Sequence, residues 1–505
     1  MDVQYYKWNK KDLKNFNKSF RDILNTTEPQ LYFPIMSLFF YIHNTPNSHK
    51  LIDFKRNNYI KQILSIDNSK EYNSNIIVNA KIINKLDSTD REKKLFGKVI
   101  PLLDPVHYLL NNYSFTKRRN PYLPSNYNFN TITKINDMNN MGYIDVFFSF
   151  IVSKLTETNK NPSFPTYYGS ANGLGNYKYD ISDDIDEFKN HEGFHKVNKI
   201  IDIEGFYSDY SSDSDGGSHS SGSRSSGSRS SGSRSSGSRS SGSRSSGSRS
   251  DYSSSDCSSK DDYIATFKNF PIIYLFIEPL DGTLEDIIRT NMDVDLLRSC
   301  LFQVTFALIY LQKHYFFTHN DLHINNIMYT KTDKPFLYYK YNNQYFKVPT
   351  YGKIFKIIDF GRSIFTFKKK TYMNDVFSKY GEAEGQYTHP PQVSFLKVDY
   401  TDMVYPSYHF DLCRLAITMI DEIRYNHDDE LETDDDYQNF LDFLKYLVTD
   451  KKGGRLDKEK DNFDLYVKIS RDACNCLPRE VIVNPFFHCY RVKKKQFPKS
   501  TYYSI

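Results

Sequence analysis

Two rhythms of apolar and polar positions run through this chain. Runs rich in branched and aromatic residues at 75–83, 94–102 and 164–168 predict strands, and 144–155 carries apolar residues at helical spacing. Further on, 270–278 reads as a buried strand and 293–315 as a long helix. Strands, a helix, strands and then mostly helices predict an α+β fold in which a small sheet-based lobe joins a larger helical one. Between Asn326 and Asp359 an extra hairpin is predicted over 336–347, with Asn342-Asn343 at its turn. The run Gly169-Ser170-Ala171-Asn172-Gly173-Leu174-Gly175 reads as a turn, because it lacks the Gly-Lys-Ser/Thr ending of a phosphate-binding loop.

Composition breaks this pattern in one place. From 208 to 260 the chain is serine-rich, and a unit of Ser, Ser, Gly, Ser and Arg repeats between 220 and 250. Such a segment has no apolar surface to offset its chain entropy, so it is expected to be a disordered, exposed insertion. It reads as a solvated spacer, or as an arm that binds partners or is phosphorylated. The insertion also carries the net charge: six Arg, from Arg224 to Arg249, lie inside the repeat, and setting them aside takes the formal charge from +5 to −1. With the remaining Lys and Arg scattered, no nucleic-acid footprint is expected on the core. Aromatic residues make up 16% of the chain, which predicts a core built from large rings. Six cysteines are few and unevenly spread, so free thiols are expected, and the N-terminus lacks the pattern of a secretory leader. The apolar runs at 33–42 and 300–311 are shorter than the roughly 20 residues a bilayer requires, so no membrane contact is expected.

Chemistry concentrates in two short stretches. The first, Thr318-His319-Asn320-Asp321-Leu322-His323-Ile324-Asn325-Asn326-Ile327-Met328, follows the long helix and spaces an Asp and an Asn five apart. The second, Lys356-Ile357-Ile358-Asp359-Phe360-Gly361-Arg362, is an apolar strand ending in Asp, an aromatic residue and Gly. They resemble the catalytic loop and the metal-binding Asp-Phe-Gly motif of protein kinases. In such a site Asp321 accepts or orients an attacking hydroxyl, while Asn326 and Asp359 offer Mg²⁺ the hard oxygen ligands it prefers. His323 stands where the usual catalytic-loop Lys would, within reach of a phosphate. Phe410-Asp411-Leu412-Cys413-Arg414 adds an Asp at a helix start, either an ordinary cap or a brace for the loop. Upstream, 274–284 resembles the last small-lobe strand passing into a hinge, where backbone groups from Glu278 to Leu280 would meet adenine.

The region from about 96 to 487 resembles a kinase-like family of large DNA viruses of the mimivirus and phycodnavirus kind. The blocks that carry the resemblance are Lys98-Val99-Ile100-Pro101-Leu102-Leu103-Asp104-Pro105, residues 318–328, Tyr338-Tyr339-Lys340-Tyr341, Lys347-Val348-Pro349-Thr350, and residues 357–362 and 410–415. The resemblance implies a small lobe over 1–277, with an N-terminal extension and the insertion, and a large lobe over 278–497. It implies ATP and Mg²⁺ as cofactors, and Lys98 as the phosphate anchor with Asp145 as its acidic partner. Lys134, nearer to Asp145 in sequence, is the rival lysine. An intracellular setting follows, in the host cytoplasm, a viral factory or the virion.

Some features depart from the family. No Gly precedes Gly97, so the glycine-rich loop over the phosphates is missing; Asn320 replaces the Arg that holds a phosphorylated segment; and no Ala-Pro-Glu motif follows Gly361. The expected activity is phosphoryl transfer to Ser or Thr of a protein, with a small-molecule acceptor and a silent, partner-binding kinase fold as the alternatives. Two weaker clusters, Cys474-Asn475-Cys476 with His488-Cys489, and the carboxylates of 428–436, read as non-metal features. The first ninety residues suggest early small-lobe strands and no site.

Overall fold

The computed structural model describes residues 10–30, 57–67, 75–84, 89–113, 122–124, 132–182, 185–197, 201–204, 263–290, 292–367, 369–379, 381–388, 404–427, 435–459 and 463–505. The insertion at 208–260 and the acidic residues 428–434 lie outside the described residues. Mixed α/β architecture is built around a curled antiparallel sheet.

The chain enters through helix α1 (Lys10–Leu24), whose Phe16, Phe20 and Leu24 recur at helical spacing and are buried. Strands β1 (Thr27–Gln30), β2 (Asn58–Ile66), β3 (Ile76–Asn84) and β4 (Thr89–Pro101) follow, then the short helices α2 (Pro105–Leu109) and α3 (Thr133–Asn136). Helix α4 (Met141–Glu157) leads into β5 (Tyr167–Asp180), α5 (Ile185–Lys189), α6 (Glu192–Val197), β6 (Asp202–Glu204) and β7 (Ile264–Ile277). The sheet order is β1-β5-β7-β4-β3-β2, with β6 beside β7. Helix α4 is apolar on nearly every side and is buried accordingly. Its start is fixed by Asn140, which accepts the Gly142 N–H at 3.0 Å and donates to the carbonyl of Leu102, just past β4, at 2.8 Å.

One expectation is overturned here. Residues 169–175 are not a turn but the interior of β5, paired with β7 from Gly169↔Phe276 to Gly175↔Phe270. The glycines are there for close approach. A Cβ on Gly173 would overlap the methyl of Thr26, and one on Gly175 would lie 2.6 Å from Ile272 Cδ1. Of the strand expected at 164–168, only Tyr167 and Tyr168 are strand, as the first residues of the longer β5.

Beyond β7 the order is β8 (Gly282–Thr283), α7 (Leu284–Thr290), α8 (Val294–Tyr315), β9 (Ile327–Lys331), β10 (Phe336–Tyr341), β11 (Gln344–Pro349), β12 (Lys353–Ile357), β13 (Ile364–Phe367) and β14 (Lys370–Met373). Helices α9 (Phe410–His427), α10 (Asp435–Leu447), α11 (Phe463–Asp472) and α12 (Pro478–Val481) follow, then the two-residue strands β15 (Arg491–Val492) and β16 (Tyr503–Ser504). Asp435 and Asp436 of the acidic run open the first turn of α10. Helix α8, capped by Asp293, is long and apolar enough by length and composition to cross a membrane; 83% of its most apolar window is buried inside the protein. The hairpin β10–β11 turns through Asn342 and Asn343 with φ of +46° and +61°, as a two-residue turn with both residues left-handed requires. It belongs to a four-stranded sheet, β15-β11-β10-β16.

Gly173→Ala is expected to cost about 1–3 kcal/mol through overpacking. Adding Thr26→Ser, which removes the clashing methyl but keeps the hydroxyl that meets Tyr274 Oη, should restore most of the loss, measured as the urea midpoint at unchanged slope.

Candidate active site

Strand β4 runs between β3 and β7, with Lys98 opposite Leu275. Its side chain reaches Asp145 of α4 at 2.7 Å and Asp359, just past β12, at 2.8 Å. Three elements far apart in sequence therefore meet at one ammonium. Burial pulls the Lys98 ammonium down, but the two carboxylates outweigh it and hold the group above its ordinary value. Burial pushes the Asp359 carboxyl up, and Lys98 outweighs that, leaving it below the usual carboxylate range. Asp145, the more deeply enclosed, is left above that range by burial despite Lys98. Its second oxygen accepts the Phe360 N–H at 3.0 Å, which ties α4 to the residue following Asp359. Lys134 takes no part in this cluster; it pairs with Asp375 at 2.6 Å.

The loop after α8 is held from beneath. Asp411, at the start of α9, accepts the His319 N–H on both oxygens, at 3.0 and 2.9 Å, and the Asn320 N–H at 3.0 Å. From the first turn of α9 it braces the loop. His319 Nε2 meets the Ile358 carbonyl at 2.9 Å, one residue before Asp359. Beneath the two motifs, Phe148 of α4 stacks on Phe317 at 4.6 Å and meets Phe360 edge-on at 5.2 Å. Asp359 itself has φ of +62° and Asn320 +64°, conformations that short polar side chains tolerate better than most.

Asn326 and Asp359 are brought together by the β9–β12 ladder. Ile327 pairs with Ile357, and the Ile358 N–H donates to the Asn326 carbonyl at 3.0 Å. The Asn326 Nδ2 donates to the Asp321 carbonyl at 2.8 Å and lies 3.0 Å from His323 Nε2. Its Oδ1 is buried with no hydrogen-bond partner among the described residues. Such an atom is an oxygen donor awaiting a partner, which fits a hard cation. Burial pulls the His323 imidazole below its ordinary value, favouring the neutral ring, whose Nδ1 accepts the Asn325 N–H at 3.3 Å.

Two residues escaped sequence reasoning. Tyr466 of α11 donates its hydroxyl to Asp321 Oδ1 at 2.9 Å, and burial, with Asp321 adding to it, pushes that phenol up to about 12, so it stays a donor. The Tyr466 ring lies 5.8 Å from the Arg362 guanidinium and 5.0 Å from that of Arg414. Lys356 of β12 is buried and bonds the Phe164 carbonyl at 3.0 Å and Glu278 at 3.1 Å. Glu278 is accordingly a clasp: its carboxylate also accepts the Thr166 N–H, and its own N–H donates to the Thr166 carbonyl, both at 3.0 Å. Its carboxylate and N–H are therefore committed to structure. Leu280, two residues on, lies in the connection to β8. Tyr466 sits in no recognisable motif, being one aromatic on an amphipathic helix, and Lys356 opens the Asp-Phe-Gly stretch without any sign in the sequence of its partners.

Among the described residues, no group of three or more His, Cys, Asp or Glu is arranged to hold a metal ion, and the Cys476 thiol donates to the Leu447 carbonyl. In comparisons with known proteins, no family model and no curated protein matches this chain.

Asp411→Ala should strand the His319 and Asn320 N–H groups in the interior at about 1–3 kcal/mol for each left unsatisfied. Urea unfolding measures the loss, and amide exchange at His319 and Asn320 should accelerate in step with it.

Proposed function

We propose that this chain is an ATP- and Mg²⁺-dependent phosphotransferase with a protein-kinase-like two-lobed fold, a small lobe over 1–277 and a large one over 278–497, acting on Ser or Thr hydroxyls of a protein. The reading joins it to the kinase-like proteins of large DNA viruses that its motifs resemble. The observation that carries it is the convergence of Lys98, Asp145 and Asp359. A strand Lys paired with a helix acid, beside the Asp of an Asp-Phe-Gly motif, is the constellation on which kinase catalysis depends.

Each residue then has a task. Lys98 anchors the phosphates, with Asp145 holding its ammonium in position. Asp359 and the unpartnered Asn326 Oδ1 supply oxygen ligands to the metal. When bound, Mg²⁺ neutralises charge on the phosphates during transfer. Asp321 accepts a hydrogen bond from the acceptor hydroxyl and orients it, and Tyr466 fixes the carboxylate that does so. His323 lies against the Asn326 side chain, with Nε2 3.0 Å from Nδ2, and holds it in place beside Asp321. One ammonium against two carboxylates leaves an excess of negative charge, which favours a cation at Asp359.

The test is incubation of the purified protein with labelled ATP, Mg²⁺ and a mixed protein substrate. Wild type should transfer label to Ser or Thr, and Asp321→Ala and Asp359→Ala should lose about a hundredfold or more in rate. Label that is equal in wild type and Asp359→Ala overturns the enzyme. Transfer only to a panel of free metabolites would replace the acceptor class. A rise in melting temperature with Mg-ATP and no transfer would leave a nucleotide-binding scaffold.

A further inference from the structure

Lys134, set aside as a nucleotide ligand, is a further enclosed cation of this region, and its partner lies beyond Gly361. Asp375 opens the 3₁₀ turn Asp375–Phe377 after β14 and pairs with Lys134 at 2.6 Å, both side chains mostly enclosed. Neighbouring bonds reinforce the contact. The Asp375 N–H donates to the Asn139 carbonyl at 3.0 Å, and the Met373 N–H to Asn139 Oδ1 at 3.4 Å. Asn374 Nδ2 donates to the Gly361 carbonyl at 2.5 Å.

From Lys134 the linkage continues into α4. Asn140, the residue that caps α4, also donates to the Lys134 carbonyl at 3.1 Å. Inside α4, Phe147 contacts Phe365, Phe367 and Tyr372 of β13–β14, with ring centroids 5.2–5.8 Å apart. Met141, the first residue of α4, packs on Gly361, its Cγ 3.1 Å from where a Cβ would be. The segment after Gly361 is thus joined to the helix bearing Asp145 directly by the aromatic contact and, through Lys134 and Asn140, by the ionic one.

We infer that Asp375 and Lys134 are positioning residues: a permanent carboxylate–ammonium latch that keeps α4, and with it Asp145 and Lys98, in register with Asp359, doing without a phosphate on the segment after Gly361. For its consequence, though not its geometry, the inference rests on the phosphotransfer reading, in which control by a phosphorylated segment acts on this helix.

A second observation points the same way. Asn320 offers no cation to a phosphate, and its amide is already engaged: Oδ1 accepts the buried Tyr387 hydroxyl at 2.9 Å and Nδ2 donates to the Arg362 carbonyl at 3.0 Å. Tyr387 closes a small apolar cluster with Ile364, Met373, Phe377 and Ala383. Among its described residues the segment is therefore docked at two places, Asp375 and Tyr387. A dianion added near Lys134 would meet the carboxylates of Asp104, Asp375 and Glu382, which already face that ammonium.

The experiment uses the full chain, treated with phosphatase until intact mass shows no phosphate. Untreated and treated protein should give the same hydrogen exchange over 141–157 and 369–379 and the same Mg-ATP affinity. Asp375→Asn should speed exchange at Met373, Asp375 and the first turn of α4 about tenfold and weaken Mg-ATP about as much, whereas Asp375→Glu should stay near wild type. Lys134→Gln should loosen the same amides, Lys134→Arg should stay near wild type, and the double variant Lys134→Gln with Asp375→Asn should lose no more than either single one, whereas independent structural losses would add. Wild-type behaviour in Asp375→Asn, loosening on dephosphorylation alone, or additive losses in the double variant would each overturn the latch. Should Asp375→Asn fail to fold, Lys134→Gln, Lys134→Arg and Asp375→Glu decide. Should wild type bind no Mg-ATP, the phosphotransfer reading falls, and the exchange data alone judge the latch.

Discussion

A single ammonium organises this protein. Lys98 stands between two carboxylates from opposite parts of the chain, and removing the ammonium leaves both of them uncompensated in a largely enclosed site. Breaking a buried pair by deleting one partner costs about 3–5 kcal/mol, far more than the pair is worth against a well-packed apolar replacement. The arrangement is thus poor as a source of stability and strong as a specifier of geometry. It forces β4, α4 and the end of β12 to agree on one relative position, and the curled sheet and the helices are arranged around that agreement.

Agreement at Lys98 is transmitted by rigid neighbours. Phe148, Phe317 and Phe360 fill the space beneath the two motifs, so α4 cannot shift without disturbing the residue next to Asp359. Asp411 draws the His319 and Asn320 amides towards α9, and His319 in turn touches the carbonyl before Asp359. Loop, helix and strand end are each held by at least two of the others. Cores of this kind are close-packed and resist continuous deformation, which is why a contact such as Lys134–Asp375 can have leverage on a distant ammonium.

Legibility in the sequence followed locality. The hairpin was readable because two adjacent Asn residues carry the turn's backbone requirement themselves, and α8 because its Asp cap and apolar spacing lie within one segment. Asp321, Asn326 and Asp359 could be singled out because their spacing is short and chemically specific, and Lys98 and Asp145 because of the family blocks around the strand. What escaped was non-local. The glycines of β5 look like a turn until Thr26 and Ile272, on other strands or beside them, are seen crowding the backbone. Glu278 looked like a hinge residue offering its backbone, and only the fold shows its carboxylate held by Lys356 and its N–H by Thr166. Tyr466 is separated from Asp321 by most of the helical part of the chain, and one aromatic among 41 Tyr and 38 Phe carries no signal of its own.

The β9–β12 ladder has a further meaning for how this chain tolerates change. Because Ile327 pairs directly with Ile357, Asn326 and Asp359 meet whatever the length of chain between the two strands. Everything from Thr332 to Gly352, including the β10–β11 hairpin, leaves and re-enters the ladder at its far end, where the Thr332 N–H bonds the Gly352 carbonyl at 2.9 Å. Insertions at the Asn342-Asn343 turn are therefore geometrically silent at the paired side chains, whereas the strands on either side of it are core, with Tyr339 and Phe346 buried against Phe302. The tip of the hairpin is thus a permissive graft point, a place where natural variation or an engineered sequence can accumulate behind a closed gate of backbone bonds.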